Sequence, residues 1–195
     1  MQGRAVAKPP ILPPLRRFAS DAWQFARAAH AGQVDKAGNP YIGHVAGVAE
    51  RLARMALEVP SWGAIERDEA EQVAWLHDVI EDTEYGAPDL VGEGFSGGVV
   101  LGVLGLTKPP MPVGYADWIG MLGRYGDLAM VLVKLADVRD NADPRRLAVL
   151  EPEVRERLQR KYGPAEDALV EAAVCLGWRP TAVQGARVIE ARQRA

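Results

Sequence analysis

An all-α, single-domain helical bundle is the fold this sequence predicts, and three observations carry the expectation. Apolar residues recur at three- and four-residue steps along most of the chain. Alternation of period two is weak throughout, and the one β-like run, MVLVKLA, fits a buried helix equally well. With 195 residues and 48% hydrophobic content, the chain can bury one substantial core.

The elements follow in order. Residues 1–18 read as a Pro-rich leader of extended or disordered character, and residues 19–195 as the domain. Ser20 or Asp21 can cap a helix that runs through WQFARAAHAG and stops near Gly32. Gly38, Asn39 and Pro40 break the stretch QVDKAGNPYIGH. A second helix is expected over His44–Leu57, where Val45, Val48, Leu52 and Met55 keep helical spacing, and a third over Glu66–Asp82. FSGGVVLGVLGLTK reads as a mostly apolar helix despite its glycines, and KPPMPVG as a loop. Asp117–Arg124 is a short helix, Asp127–Asp137 a long apolar one continuing toward Asn141, and Glu151–Leu176 one or two more. There is no internal repeat and no glycine-rich phosphate loop.

A formal charge of -3 leaves no broad basic surface for a nucleic-acid polymer, while a small phosphorylated ligand held by a few local cations remains compatible. The single cysteine, Cys175, sits among apolar residues and reads as a core or helix-packing residue without a disulfide partner, which fits a reducing, intracellular compartment. No run of eighteen apolar residues exists, and four prolines interrupt the first seventeen residues where a signal peptide needs a continuous apolar core. A soluble, cytoplasmic protein with no membrane partner is expected; the oligomeric state is left open.

The run AWLHDVIEDTE holds the densest chemistry. On a helix, His77 and Glu81 are four apart, Asp78 and Asp82 four apart, and Asp78 and Glu81 three apart, so the four share adjacent stripes. No basic residue lies between Glu71 and Glu84 to relieve this crowding. A divalent cation would neutralise it; a solvated acidic face is the alternative. His44 opens the second helix, as a cap, a packed histidine or a metal ligand. Asp137 ends the apolar run AMVLVKLAD, where a carboxylate needs an ion pair with Lys134 or Arg139, or a bound cation. Asn141 lies one turn later on the same face.

With these residues in this order, the chain resembles the hydrolase domain of the RelA/SpoT alarmone enzymes, within the HD-domain metal phosphohydrolases, in their small stand-alone form. The likeness spans roughly residues 22–165: AHAGQVDKAGNPYIGHVAGVAERLA matches the opening motif, WLHDVIEDTEYG the HD and ED motifs, GFSGGVVLGVLGLTKP the following helix and VKLADVRDNA the last motif. The resemblance implies a bundle of the HD-domain type. It implies a metal, usually manganese, held by His44, His77, Asp78 and Asp137, with Glu81 and Asp82 serving hydrolysis and Asn141 holding the nucleotide near its ribose. Mixed imidazole and carboxylate ligands would suit iron or zinc as well. The implied reaction removes the 3′-pyrophosphate from guanosine 3′,5′-bispyrophosphate (ppGpp or pppGpp), giving GDP or GTP and pyrophosphate. Lys36, Lys108 and Tyr41 are candidate substrate contacts, with Arg124 and Lys161 as further phosphate ligands. Asp35 stands where the family usually has an arginine that packs on the purine, so it is a candidate contact of altered character. Two other readings stay open: a phosphohydrolase for another nucleotide, such as an adenosine alarmone or a phosphorylated cofactor, and a non-catalytic nucleotide-binding module.

Overall fold

Helices account for the regular structure of the described residues, 16–109 and 112–181, in the computed structural model. They are α1 Ala19–Ala29, α2 Ile42–Ala56, α3 Ala64–Leu76, α4 Val79–Asp82, α5 Ala87–Gly92, α6 Gly97–Leu106, α7 Tyr115–Tyr125, α8 Leu128–Asn141, α9 Pro144–Leu147 and α10 Pro152–Leu176. The sole β pairing among these residues is an isolated bridge between Val34 and Pro40. The leader expected over 1–18 lies outside the described residues except for 16–18, as does the domain's end, 182–195.

The run MVLVKLA belongs to α8, the axis of the bundle. Val131, Leu132, Val133, Leu135, Ala136 and Val138 are fully buried, and α2, α3, α6, α7 and α10 all pack on this one helix. A helix covered on every side needs apolar residues all round, so it loses the 3.6-residue stripe and looks like a strand in sequence. Asp127 starts it by accepting the amide of Met130. The glycines of α6 have a packing reason: a Cβ at Gly102 would lie 2.8 Å from Val73, and one at Gly105 2.6 Å from the Met130 sulfur. They let α6 lie close against α3 and α8.

Several boundaries differ from expectation. Phe18, rather than Ser20 or Asp21, is the N-cap of α1, because Asp21 reaches back to the Phe18 amide from the third helical position. Helices α5 and α9 were not foreseen; each is a short turn begun by a proline and an aspartate, Pro88 with Asp89 and Pro144 with Asp143. Residues Glu151–Leu176 form one helix from Pro152 that passes through Pro164. Cys175 is exposed, not core, because α10 turns Val170 and Ala173 inward at its end.

The expected helix over Glu66–Asp82 is broken after Leu76 and resumes at Val79. The His77 ring explains the break: its Nδ1 bonds the Ala74 carbonyl at 2.8 Å, the carbonyl an unbroken helix would give to the amide of residue 78. Asp78 then adopts φ -103° and ψ 0°. Side chains that helical geometry would splay about 100° apart instead come together, with His77 Nε2 2.9 Å from Asp78 Oδ2.

Candidate metal centre and its pocket

The beginning of α2, the α3–α4 break and the last turns of α8 bring four of the expected residues to one point. His44 Nε2 is 3.4 Å from Asp137 Oδ1 and 3.7 Å from Asp78 Oδ2. Ligand atoms of the buried His44, His77 and Asp137 all lie within 4.8 Å of one another. His77 supplies the test of fit. Its Nδ1 donates to Ala74, which aims Nε2 into the cluster, and that buried atom lies 2.9 Å from Asp78 Oδ2 without a well-aligned hydrogen bond. A buried imidazole nitrogen facing carboxylates calls for a positive charge, and two imidazoles with two carboxylates suit a divalent cation.

Protons compete for the same place. Burial disfavours a charged His44, yet its hydrogen bonds to the carboxylates of Asp137, Asp140 and Asp78 outweigh it and push its pKa up to about 11. Burial likewise opposes a charged His77, and Asp78 and Asp137 raise its pKa nonetheless. His44 therefore carries an extra proton at neutral pH that a metal must displace, and the upward shift of His77 acts in the same direction. Manganese affinity is expected to rise with pH, by up to about tenfold per unit for each proton released. Calorimetry in buffers of different ionisation heats measures that release, and an affinity constant between about pH 6 and 8 would contradict it.

Of the alternatives weighed for Asp137, the ion pair with Lys134 is formed, and it uses only one of the two carboxylate oxygens. One oxygen pairs with the buried Lys134 ammonium at 2.7 Å, while the other faces His44 and accepts the Asn141 amide at 2.5 Å. Burial would raise the pKa of Asp137, but Lys134 and the two histidines hold it well below the usual carboxylate range. Arg139 turns away to Glu166. The Tyr41 hydroxyl lies 2.6 Å from Asp78 and 3.0 Å from Asp82, so its single proton is contested by two carboxylates. Burial and those charges keep the phenol protonated far above its ordinary range.

Tyr41, His44, Asp78, Asp137 and Asn141 line a cavity of about 750 Å³, within the range of small-molecule sites. Glu81 and Asp82 stand exposed at its edge; Glu81 accepts the backbone amide of Lys108 at 3.1 Å, and the Asp82 carbonyl accepts Gln33 at 2.8 Å. Lys36, Lys108, Lys134 and Lys161 all line it. Burial lowers the pKa of Lys161, and Lys134, Lys36 and Lys108 lower it further, which marks four ammonium groups converging on one space. Arg124, also considered for phosphate, is exposed at the end of α7 and does not line the cavity. Sequence reasoning missed the aromatic wall: Trp118 lies under Lys134 at 4.4 Å and Tyr115 under Lys161 at 4.1 Å. Their positions one turn apart on α7 give only an ordinary amphipathic pattern. Missed too were Asp140 and Arg146, whose role depends on contacts far along the chain.

Asp35 lines the cavity but works on its own loop. One oxygen accepts the amides of Ala37 and Asn39, both at 2.9 Å, and the other lies 3.3 Å from Arg146. A planar cation thus stands beside position 35, supplied by α9.

No family model matches the chain. It is 36% identical over 144 residues to a guanosine-3′,5′-bis(diphosphate) 3′-pyrophosphohydrolase of Haemophilus influenzae, covering 70% of this chain and 20% of that protein. It is 34% identical over 150 residues to the bifunctional (p)ppGpp synthase/hydrolase SpoT of Escherichia coli, covering 72% of this chain and 19% of that protein. The chain thus spans about a fifth of the length of these curated relatives. Among solved structures it matches a metazoan ortholog of SpoT described as hydrolyzing ppGpp, with a TM-score of 0.63 and 22% identity, over 88% of this chain and 94% of that one. No helix among the described residues is long and apolar enough to cross a membrane. Over seven-tenths of its length the chain is thus similar in sequence to one region of these RelA/SpoT-type proteins, and over nearly nine-tenths it shares the helical fold of the metazoan SpoT ortholog.

Proposed function

We propose that this chain is a metal-dependent hydrolase that removes the 3′-pyrophosphate of ppGpp or pppGpp, releasing GDP or GTP and pyrophosphate. The reading takes residues 19–195 as the catalytic domain, the cytoplasm as its location, and manganese as the ion, held by His44, His77, Asp78 and Asp137; iron or zinc would fit the same donors. The observation that carries it is convergence: one cavity is lined by His44, Asp78 and Asp137 of the buried cluster, by four lysines and by the exposed carboxylates of Glu81 and Asp82, with His77 packed behind. The ion would supply Lewis acidity, making water more acidic and polarising a phosphoryl oxygen.

The chain's own groups do the rest. Lys36, Lys108, Lys134 and Lys161 would balance the charge of the two pyrophosphate groups and hold them in register with the cluster. Asn141 and Tyr41 line the same cavity, though the Asn141 amide is shared with Asp137 and the Tyr41 hydroxyl with Asp78 and Asp82. Glu81 would take the proton of the attacking water, with Asp82 as a second acceptor kept in place by Tyr41 and Gln33. Water would add to the phosphorus next to the ribose as its proton passes to Glu81, the bond from that phosphorus to the 3′ oxygen would break, and that oxygen would leave as the ribose hydroxyl by taking up a proton from protonated Glu81 or solvent.

Asp35 favours one second reading, a hydrolase for another phosphorylated nucleotide such as an adenosine alarmone, since a carboxylate faces the cavity at this loop. Purified protein incubated with manganese and a panel of guanosine and adenosine alarmones is expected to convert ppGpp to GDP and pyrophosphate with the highest kcat/KM. Preference for an adenosine compound would favour the second reading. No turnover of any nucleotide would leave a binding module.

A further inference from the structure

Asp140 has no part in the reaction as written, yet it is among the most constrained side chains in the protein. It is buried on α8, and its Oδ2 lies 2.8 Å from His44 Nδ1, on the side of the ring away from the cluster. The same oxygen accepts Arg146 Nη1 at 2.7 Å, and Oδ1 faces Arg51 Nε at 3.4 Å. Room for this carboxylate comes from the facing helix. A Cβ at Gly47 would stand 2.3 Å from Asp140 Oδ1, so only glycine lets α2 and α8 enclose it. Glycine is a poor helix former, and α2 carries it at an interior position, one turn after His44.

We propose that Asp140 is the positioning residue of the metal centre. By accepting the proton on His44 Nδ1 it leaves Nε2 as the lone pair directed at Asp137 and Asp78. Gly47 gives it space, and Arg51 and Arg146 anchor it. Arg146 also lies 3.3 Å from Asp35, so the chain Asp35, Arg146, Asp140, His44 runs unbroken from the substrate-facing loop to the cluster. A carboxylate behind a ligating histidine fixes its tautomer and rotation, and losing one commonly weakens metal binding ten- to a hundredfold.

The inference rests on the metal reading above, and the test uses the ion alone, without nucleotide. Manganese dissociation constants of the full chain are measured by competition with a chelator for the parent, Asp140→Ala, Asp140→Asn and Gly47→Ala. Affinity is expected to fall about ten- to a hundredfold in Asp140→Ala, and less in Asp140→Asn, which keeps an acceptor. Gly47→Ala, which displaces the carboxylate, should fall in the same direction. Nitrogen-15 spectra of the zinc-loaded parent, which need no variant to fold, are expected to show the His44 proton on Nδ1. Metal bound through Nδ1 would overturn the assignment, as would parent-like affinity in folded Asp140→Ala and Asp140→Asn. A parent chain that binds neither ion would sink the metal reading itself, and this inference with it.

Discussion

Replacing His77 with alanine is expected to abolish stoichiometric manganese binding and hydrolysis together. The substitution removes one of only two imidazole donors, a buried nitrogen aimed into the cluster, and the remaining imidazole and two carboxylates, spread over α2, the α3–α4 break and α8, would hold a divalent ion much more weakly. Asp137→Ala should have the same effect on metal and a second effect on folding. It strips the buried Lys134 ammonium of its partner at 2.7 Å, and an uncompensated buried charge costs about 3–5 kcal/mol. His77→Ala, which strands no charge of that kind, should unfold at a temperature closer to the parent's. Metal analysis together with thermal unfolding checks both variants, and full occupancy in both would rule out the ligand assignment.

Glu81→Gln should behave differently, losing about two to four decades of kcat while retaining metal and fold. Glu81 is exposed, and the one bond it makes is accepted from the Lys108 amide, which a glutamine oxygen can keep. What glutamine lacks is the capacity to receive a proton from water. Single-turnover rates with metal occupancy measured on the same sample separate the cases. Unchanged turnover would remove Glu81 from the mechanism, and loss of metal would make it a ligand.

The convergence of His44, His77, Asp78 and Asp137 was legible because three physical signals survive in a linear sequence. Carboxylates crowd without a basic neighbour, an apolar helix ends on an aspartate, and the motifs fall in a recognisable order. What stayed hidden depends on partners remote in the chain. Nothing within four residues of Asp140 announces that it meets His44 and Gly47, and the Lys161–Tyr115 wall joins α10 to α7. The break at His77 was missed for a related reason. Periodicity describes backbone hydrogen bonding, and here a side chain takes one of the carbonyls. The strand-like look of α8 has the opposite origin, since a fully buried helix has no polar face by which its period can be read.

That break also bears on how the protein behaves as a polymer. Because residues 44, 77 and 137 come from stretches of chain far apart in sequence, an ion bound between them ties two long loops at a single knot. Unlike a covalent crosslink, such a tie forms only in the folded chain, and its ligation adds stability that grows with the logarithm of free metal, about 2.7 kcal/mol at a hundredfold excess over the dissociation constant. The proposed catalytic ion would thus double as a fastener, and metal depletion would loosen the middle of the bundle as well as stop the reaction.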